Sequence, residues 1–188
     1  MKLTELEPED PETGELRVIV ETPKGARIKF KYLPEHELFS VRRVIPAGMA
    51  FPFNFGFVPA TLAEDGDPLD VLVLTADPIA VGCLVLVRII GVIEGTQREG
   101  RHKAVRNDRL VAVSVEDAAF RGWRNLDDAD DETLKAIEQF FVSYHKVQGR
   151  TFTVRSRGGP RRARALLAQA KRRAQSERRR KQQSAGAQ

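Results

Sequence analysis

Three aspartates lie within residues 65–70 (DGDPLD), directly before an apolar run of strand-forming residues. Gly66 and Pro68 are turn formers, so the segment is expected to bend and to bring Asp65, Asp67 and Asp70 toward one point. Carboxylates this close repel each other unless a carboxyl pKa rises or a cation binds between them. Oxygen ligands on a tight turn suit Mg²⁺ or Mn²⁺. The same composition is also typical of a solvated turn before a strand, and spacing alone leaves both interpretations open.

Basic side chains fall on predicted strands and loops that could border this cluster. Lys29, Arg43 and Arg109 are spread along the chain, and His145 and Lys146 lie near the end of a predicted helix. A divalent cation together with Lys and Arg is the combination that neutralises phosphate oxygens in phosphoryl transfer. The set therefore predicts a site for a phosphate-rich anion, although each basic residue taken singly also fits a solvated strand face.

The elements that must position these residues are short strands separated by Gly, Pro and polar turns. In residues 27–32 apolar and basic side chains alternate strictly, which predicts that Ile28, Phe30 and Tyr32 face the core and that the basic residues between them face the other way. Residues 51–57 (FPFNFGF) are interpreted as an aromatic loop. Strands are predicted at residues 16–21, 27–32, 39–44, 71–75, 84–94 and 110–115.

One strong helix is predicted in the body of the chain, over residues 127–149, with acidic residues in its first turns and Gly149 at its end. Its apolar stripe contains Leu134, Ile137, Phe140, Phe141 and Tyr144. The fold class that follows is α+β: a small mixed β-barrel with a packed body helix and a basic C-terminal helix. Its expected organisation is a loose acidic arm at 1–15, a barrel domain at 16–159 and a basic helical or disordered tail at 160–188.

The charge of the chain is concentrated at its C-terminal end. Residues 160–188 carry ten Lys and Arg against Glu177 alone, whereas residues 1–159 carry 21 basic and 25 acidic residues. The tail is expected to dock as a helix through about Ala170 and then to be solvated. Weak, non-specific polyanion binding through phosphate contacts is one interpretation of it, and a helical extension without a partner is the other.

The sequence contains no apolar stretch long enough to span a membrane as a helix. Its single cysteine, Cys83, cannot form an internal disulfide and is expected to be a reduced thiol among apolar residues. Together these features predict a cytoplasmic location.

The aromatic segment 51–57 followed by the aspartate motif 65–70 resembles the soluble (family I) inorganic pyrophosphatases, which have an oligonucleotide-binding-like (OB-like) barrel. The resemblance runs from about residue 16 to 152 and includes Glu21 with Pro23, Lys29 on its strand, Arg43 and the helical pattern that ends at Tyr144. It implies Mg²⁺-dependent hydrolysis of pyrophosphate to two phosphates, with Mn²⁺ as a possible alternative. Because bacterial members of the family are commonly hexamers, it also implies a homo-oligomer.

The resemblance implies a role for each matching residue. Asp65 and Asp70 would hold the metal that activates the attacking water, Asp67 would be the general base, and Glu21 would assist a substrate-bound metal through solvent. The phosphates would be held by Lys29, Arg43, Arg109 and Tyr144, with His145 at a position that is usually lysine and able to contribute when protonated at mildly acidic pH.

The sequence departs from the family pattern at the metal site. Gln97 and Asn107 fall where two further aspartates are expected, Lys31 replaces a carboxylate, and Phe55 replaces a tyrosine. Asn107 retains a neutral oxygen as a weak ligand, and Asp108, Glu94 and Glu99 are nearby acidic alternatives. Three functions are compatible with this set: an active pyrophosphatase with fewer metals, a catalytically impaired relative that binds a phosphorylated ligand or polyanion, and a hydrolase for a larger diphosphate.

Overall fold

The strands that carry the predicted site close into a ring. In the computed structural model, which describes residues 2–185, β1 (Leu16–Thr22) pairs antiparallel with β4 (Asn54–Phe57) on one side and with β6 (Leu84–Glu99) on the other. β4 pairs with β5 (Asp70–Leu74), β5 runs parallel to β8 (Arg109–Ser114), and β8 pairs with β6. This ring of five strands confirms the predicted barrel and the α+β class.

Two further pieces of sheet complete the body. A separate two-stranded sheet consists of β2 (Ile28–Leu33) and β3 (Leu38–Val44). The distal half of β6 is extended by β7 (Val105–Arg106) and by β9 (Arg150–Gly158). The sequence analysis does not predict β9, because its exposed polar residues leave only Phe152 fully buried.

Helix α1 (Asp131–Lys146) packs on β9 and covers one side of the barrel sheet. It begins later than predicted because Asp130 is its N-cap, accepting a hydrogen bond from the Thr133 backbone N–H at 2.6 Å. Residues Leu126–Asp128 before it form a separate 3₁₀ turn. The predicted stripe faces the core as expected, with four members buried and Phe140 half-buried: Leu134, Ile137, Phe141 and Tyr144.

Helix α2 (Pro160–Ala185) packs against the other side of the barrel sheet. Its first half buries Ala163, Leu166, Leu167 and Ala170 in the same cluster as strand residues such as Val71. The predicted boundary at residue 159 therefore cuts through the packed body rather than beside it. The prediction that docking ends near Ala170 agrees with the burial pattern, since Ala170 is the last residue of α2 that is buried among those described. Beyond it the helix is half-buried to exposed, and Lys171 and Arg173 pair with Glu9 and Glu64. Residues 186–188 lie outside the described part.

The N-terminal arm is not loose, contrary to the sequence-based expectation. Leu3 and Leu6 pack against the buried cluster of Ile19, Tyr32 and Phe57. A second anchor joins Arg17 to Asp10 at 2.7 Å. The acidic composition of the arm concealed two leucines spaced to reach one apolar patch; Met1 lies outside the described residues.

The two faces of β2 also differ from the prediction. Ile28 is exposed and Phe30 is only half-buried, whereas Lys29 and Lys31 point into a pocket. Of the three residues predicted to face the core, Tyr32 is buried as predicted, against Ile19 of β1 and Phe57 of β4. The aromatic segment likewise differs, because its second half is strand β4.

Two smaller observations concern location and redox state. Cys83 is exposed instead of lying among core residues. Within residues 2–185, none of the helices combines the length and the hydropathy that crossing a membrane requires.

Candidate active site

The predicted site residues share one pocket. A cavity of about 340 Å³ is lined by residues of the barrel strands, the β2–β3 sheet, the aspartate turn and α1. All ten residues predicted from the sequence line it: Glu21, Lys29, Arg43, Asp65, Asp67, Asp70, Asn107, Arg109, Tyr144 and His145.

The aspartate segment forms the expected turn. Gly66 has φ of +89°, a left-handed conformation that a glycine adopts without strain. The backbone N–H of Ala63 donates to the Asp67 carbonyl at 2.8 Å, and the Asp67 N–H donates to the Asp65 carboxylate at 3.3 Å. Asp70 is the first residue of β5, so the turn delivers all three carboxylates to the pocket wall.

Two carboxyl groups have raised pKa values. The pKa of Asp65 is raised first by shielding of its carboxyl from water and then by the negative charge of Asp70. Burial also raises the pKa of Glu21, while the nearby Lys29 ammonium and a hydrogen bond from the Tyr32 N–H at 2.8 Å act in the opposite direction. Both pKa values are thus raised mainly by burial, which disfavours the charged form of a carboxyl group.

Arg109 joins the two sides of the predicted metal site. Its guanidinium is ion-paired with Asp70 and donates to the side-chain oxygen of Asn107. Its guanidinium carbon lies over the rings of Phe141 and Phe55, 5.4 and 5.8 Å from the ring centroids. The Nε–H of Arg109 is buried without a hydrogen-bond partner among the described residues, so a donor remains for an anion.

Lys29 is held against aromatic surface. Its ammonium lies 3.7 Å from the centroid of Phe55 and 5.8 Å from that of Phe51. Burial lowers the pKa of Lys29, and the charges of Glu21 and Asp70 oppose this effect. The ring of Phe55 thus serves as a platform for the Lys29 ammonium.

The α1 side of the pocket carries Tyr144 and His145. Burial raises the pKa of Tyr144, whose ring packs against Phe51 and Phe140. His145 stacks on Phe152 with a centroid distance of 4.8 Å, and its Nδ1 is 2.8 Å from the carbonyl oxygen of Phe141. That contact assigns the proton to Nδ1 in the neutral ring.

The environment of His145 opposes the cationic role expected at mildly acidic pH. Burial, followed by the charge of Arg109, lowers the pKa of His145 to about 4. The imidazole is therefore neutral at pH 6. Sequence comparison could identify the position but not this burial.

Asp67 has a protein cation on both of its oxygens. The ammonium of Lys31 donates to them at 2.7 and 2.8 Å. Lys31 comes from β2 and Asp67 from the aspartate turn, so the pair links two separate elements across the pocket.

None of the acidic alternatives in the β6–β8 region lines the pocket. Asp108 pairs with Arg106 and accepts a hydrogen bond from the Gly95 N–H at 3.1 Å, and Glu94 pairs with Arg162 at 2.7 Å. Glu99 pairs with Arg150. Instead, the cavity is lined in this region by Gln97 and Asn107, the two amides at positions where the family resemblance predicts aspartate.

The structure adds basic residues that the sequence analysis missed. Arg42 and Arg150 line the pocket with Arg43. Register shifts between the pairs Lys29–Arg43 and Phe30–Val41, so Arg42 is the extra residue of a bulge and lies on the same side as its neighbour. With these, the lining contains six Lys and Arg and four carboxylates, an excess that suits a multiply charged anion.

The donor set fits a hard divalent cation at Asp65 and Asp70. Their mutual repulsion would be relieved by such an ion, and carboxylate and amide oxygens are its preferred ligands. Within residues 2–185, however, no three His, Cys, Asp or Glu side chains are arranged as a metal-binding group. In the same region Lys31 is paired with Asp67, Arg109 is paired with Asp70, and position 107 is an amide.

Comparison with known proteins agrees with this geometry. The family model described as inorganic pyrophosphatase matches residues 18–175. The inorganic pyrophosphatase of Geobacillus stearothermophilus is 34% identical over 152 residues, which are 81% of this chain and 89% of that protein. The Sulfolobus acidocaldarius enzyme is 37% identical over 135 residues, which are 71% and 75% of the two chains. The chain belongs to the inorganic pyrophosphatase family, as the aspartate motif predicts.

Solved structures give the same result for the fold. The crystal structure of inorganic pyrophosphatase from Thermus thermophilus superposes with a TM-score of 0.85 at 27% identity, covering 93% of this chain and 99% of that chain. The chain spans only about three fifths of the length of algal and rice relatives, 64% of soluble inorganic pyrophosphatase 2 of Chlamydomonas reinhardtii and 61% of the rice protein. The family is metal dependent.

Proposed function

We propose that this chain hydrolyses inorganic pyrophosphate to two phosphates, with Mg²⁺ as its metal and Mn²⁺ as an alternative. The observation that carries the proposal is that every predicted site residue lines one cavity, in a chain that matches the inorganic pyrophosphatase model over residues 18–175. A pocket with six basic and four acidic side chains suits an anion accompanied by a divalent cation.

The carboxylates supply the water-activating half of the site. Asp65 and Asp70, with weaker help from Asn107 and solvent-mediated help from Glu21, would hold the metal. A divalent cation bound there lowers the pKa of a water and neutralises phosphate charge. Asp67 would accept the proton as the water oxygen attacks phosphorus and the bridging P–O bond breaks.

The basic residues supply the anion-binding half. Lys29, Arg43 and Arg109 would neutralise phosphate oxygens, and the unpartnered Arg109 Nε–H supports this role. The Tyr144 hydroxyl would donate a hydrogen bond to a phosphate oxygen. The neutral His145 would act by packing and orientation rather than by charge, because its pKa is lowered to about 4.

A second candidate is a protein that binds pyrophosphate or another phosphorylated ligand without hydrolysing it. The amides at Gln97 and Asn107 and the cation on Asp67 favour this candidate, since each removes negative charge from the metal side. A larger diphosphate is a further possible substrate, so methyl diphosphate belongs in the same assay.

Phosphate release from pyrophosphate separates these functions. The wild-type chain, Asp67→Asn and Asp70→Asn are assayed with Mg²⁺ and with Mn²⁺, and the exposed Asp127→Asn is the matched control. Loss of about 100-fold or more in both site variants, with the control unchanged, is expected. Release at background level in the wild type, together with pyrophosphate binding by calorimetry, would establish the binding protein instead.

We also propose that the exposed end of α2 binds polyanions weakly. Arg178, Arg179 and Arg180 are exposed on the helix, and Glu177 is the only acidic residue of α2. Because the first half of α2 is packed, deletion from residue 160 is unsuitable, and Arg178, Arg179, Arg180 and Lys181 are instead changed together to Gln. Earlier elution of this variant from heparin is expected, and coelution with wild type contradicts the proposal. The control is a variant in which Arg98, Arg101 and Lys103, which lie outside α2, are changed to Gln.

A homo-oligomer in the cytoplasm completes the proposal. Leu38, Val41 and Val44 are 65%, 58% and 59% exposed on β3, which supports an interface between copies. The lone Cys83 supports a reducing compartment. Sedimentation velocity of wild type and Val44→Lys tests the first point, and a single monomeric species in the wild type contradicts it.

A further inference from the structure

Lys31 and Asp67 form a two-point contact inside the pocket. The ammonium donates to both carboxylate oxygens, at 2.7 and 2.8 Å. The side chains are 36% and 53% exposed, so the pair stabilises the fold by little. Its consequence is local: the ammonium neutralises the Asp67 carboxylate and contacts both of the oxygens that could otherwise bind a metal ion.

The contact makes Asp67 a poor ligand for a divalent ion. Both oxygens already accept hydrogen bonds, and a cation beside them repels a second, more highly charged one. An ammonium has three donors, of which two are used here, so one remains for a phosphate oxygen. Lys31 can therefore neutralise a phosphate oxygen while it remains paired with the carboxylate of Asp67.

Asp70 has a comparable partner, whereas Asp65 has none of this kind. Arg109 is ion-paired with Asp70, and the side chain of Asp65 accepts only the Asp67 N–H at 3.3 Å among the described contacts. Protein cations thus stand on two of the three aspartates. The more exposed of these two pairs, Lys31–Asp67, is the one that a single substitution can open without disturbing the core.

We propose that Lys31 is a resident counter-cation that replaces one divalent ion at Asp67, so that the free protein binds fewer divalent ions than its pocket carboxylates would allow. This inference rests on the proposed function and specifies the metal requirement of the same site. Arg109 contacts one oxygen of Asp70, so the other Asp70 oxygen and the carboxylate of Asp65 remain for the ion that does bind.

The test counts ions in the protein without substrate. Mn²⁺ binding is followed by electron paramagnetic resonance for wild type, Lys31→Glu, Lys31→Met and Lys31→Arg, with thermal unfolding to verify the fold. Lys31→Glu is expected to bind one ion more per chain, Lys31→Met to gain roughly tenfold in affinity at the new site relative to wild type, and Lys31→Arg to match wild type. Unchanged binding in both Lys31→Glu and Lys31→Met overturns the proposal.

Two controls locate the additional ion. Arg42→Glu makes the same charge change on another exposed pocket residue, and it is expected to leave the ion count unchanged. Lys31→Glu combined with Asp67→Asn is expected to lose the additional ion. An extra ion in Arg42→Glu, or its survival in the double variant, overturns the assignment to Asp67. Because no substrate is present, these outcomes are independent of whether pyrophosphate is hydrolysed.

Discussion

The guanidinium of Arg109 is ion-paired with the carboxylate of Asp70 at the start of two neighbouring parallel strands. The register aligns Val71 with Leu110, so the residue before each lies side by side at the same end of the sheet. The sheet itself therefore fixes the distance between the proposed anion-binding group and the proposed metal ligand. A flexible loop would have to order both before it could do the same.

Substitution of Arg109 is expected to weaken substrate binding, and more so when the charge is removed than when only the guanidinium contacts are lost. Arg109→Lys keeps a charge but cannot reach Asp70, Asn107 and a phosphate together, so KM for pyrophosphate should rise about tenfold. Arg109→Met removes the charge and should raise KM by roughly 100-fold. Steady-state phosphate release measures both, with the exposed Arg98→Met as control. An unchanged KM in Arg109→Met contradicts the anion-binding role.

Restoring carboxylates at the two amide positions should strengthen metal binding. Gln97 and Asn107 line the cavity, and their replacement by Asp in one variant adds two charges beside Asp65 and Asp70. Mg²⁺ affinity, measured by calorimetry, is expected to rise about tenfold or more. Gln175→Asp on the exposed surface of α2 is the control for charge alone. No gain in the double variant would mean that these side chains do not reach the metal.

The Tyr144 hydroxyl is expected to matter for substrate and little for the fold. Tyr144→Phe keeps the ring contacts with Phe51 and Phe140 and removes one hydrogen-bond donor. KM for pyrophosphate should rise about fivefold while the free energy of unfolding changes by less than about 1 kcal/mol. Kinetics and urea denaturation provide the two values. A large loss of stability with normal KM would assign Tyr144 to packing.

His145 should make the stability of the metal-free protein pH dependent. Its pKa is lowered to about 4 in the fold from an ordinary value of 6.5, through burial and through Arg109, Arg150 and Lys29 facing it from β8, β9 and β2. The unfolded chain then binds the proton more readily, so stability falls as pH decreases below 6.5. Relative to His145→Gln, wild type should lose roughly 2 kcal/mol between pH 7.5 and 5.

Urea denaturation in EDTA measures this difference. The control is His102→Gln, because His102 is exposed in the turn after β6 and its replacement should not alter the pH profile. Parallel profiles for wild type and His145→Gln would contradict the burial of a neutral imidazole.

The first half of α2 should be as important for stability as a barrel strand. Leu167 is buried against the barrel sheet, and Leu167→Ala should cost about 2–5 kcal/mol. Arg164→Ala, one turn earlier on the exposed face, should change stability by less than about 0.5 kcal/mol. Thermal and urea unfolding compare the two. Equal stability of Leu167→Ala and wild type would restore the predicted boundary at residue 159.

The parts of the molecule that the sequence predicts are those governed by local pattern. The apolar runs after the aspartate turn define β5, β6 and β8, and the stripe of Leu134, Ile137 and Phe141 defines α1. The aspartate motif identifies the family, and the ten site residues that the resemblance predicts all line the pocket. Local patterns and motifs each span only a few residues, so they can be identified in the sequence without knowledge of the fold.

The parts that the sequence does not predict depend on distant partners. The bulge that turns Arg42 into the pocket exists only once β2 and β3 pair, and the docking of Leu3 requires the surface around Tyr32. The ion pair of Lys31 with Asp67 joins residues 36 positions apart. The burial of His145 likewise depends on tertiary packing, since the sequence-distant Arg109 and Lys29 face its ring.

The closure of the ring through β1 and β6 has a consequence for biosynthesis. β1 ends at Thr22 and its partner β6 begins at Leu84, and β8 must be inserted between β5 and β6 before the circle is complete. The pocket also needs Tyr144 and His145, which are translated later still. The aspartate turn is therefore translated before the strand and the helix that complete the pocket around it. Because folding depends on strand pairs that are distant along the chain, it is expected to be slow.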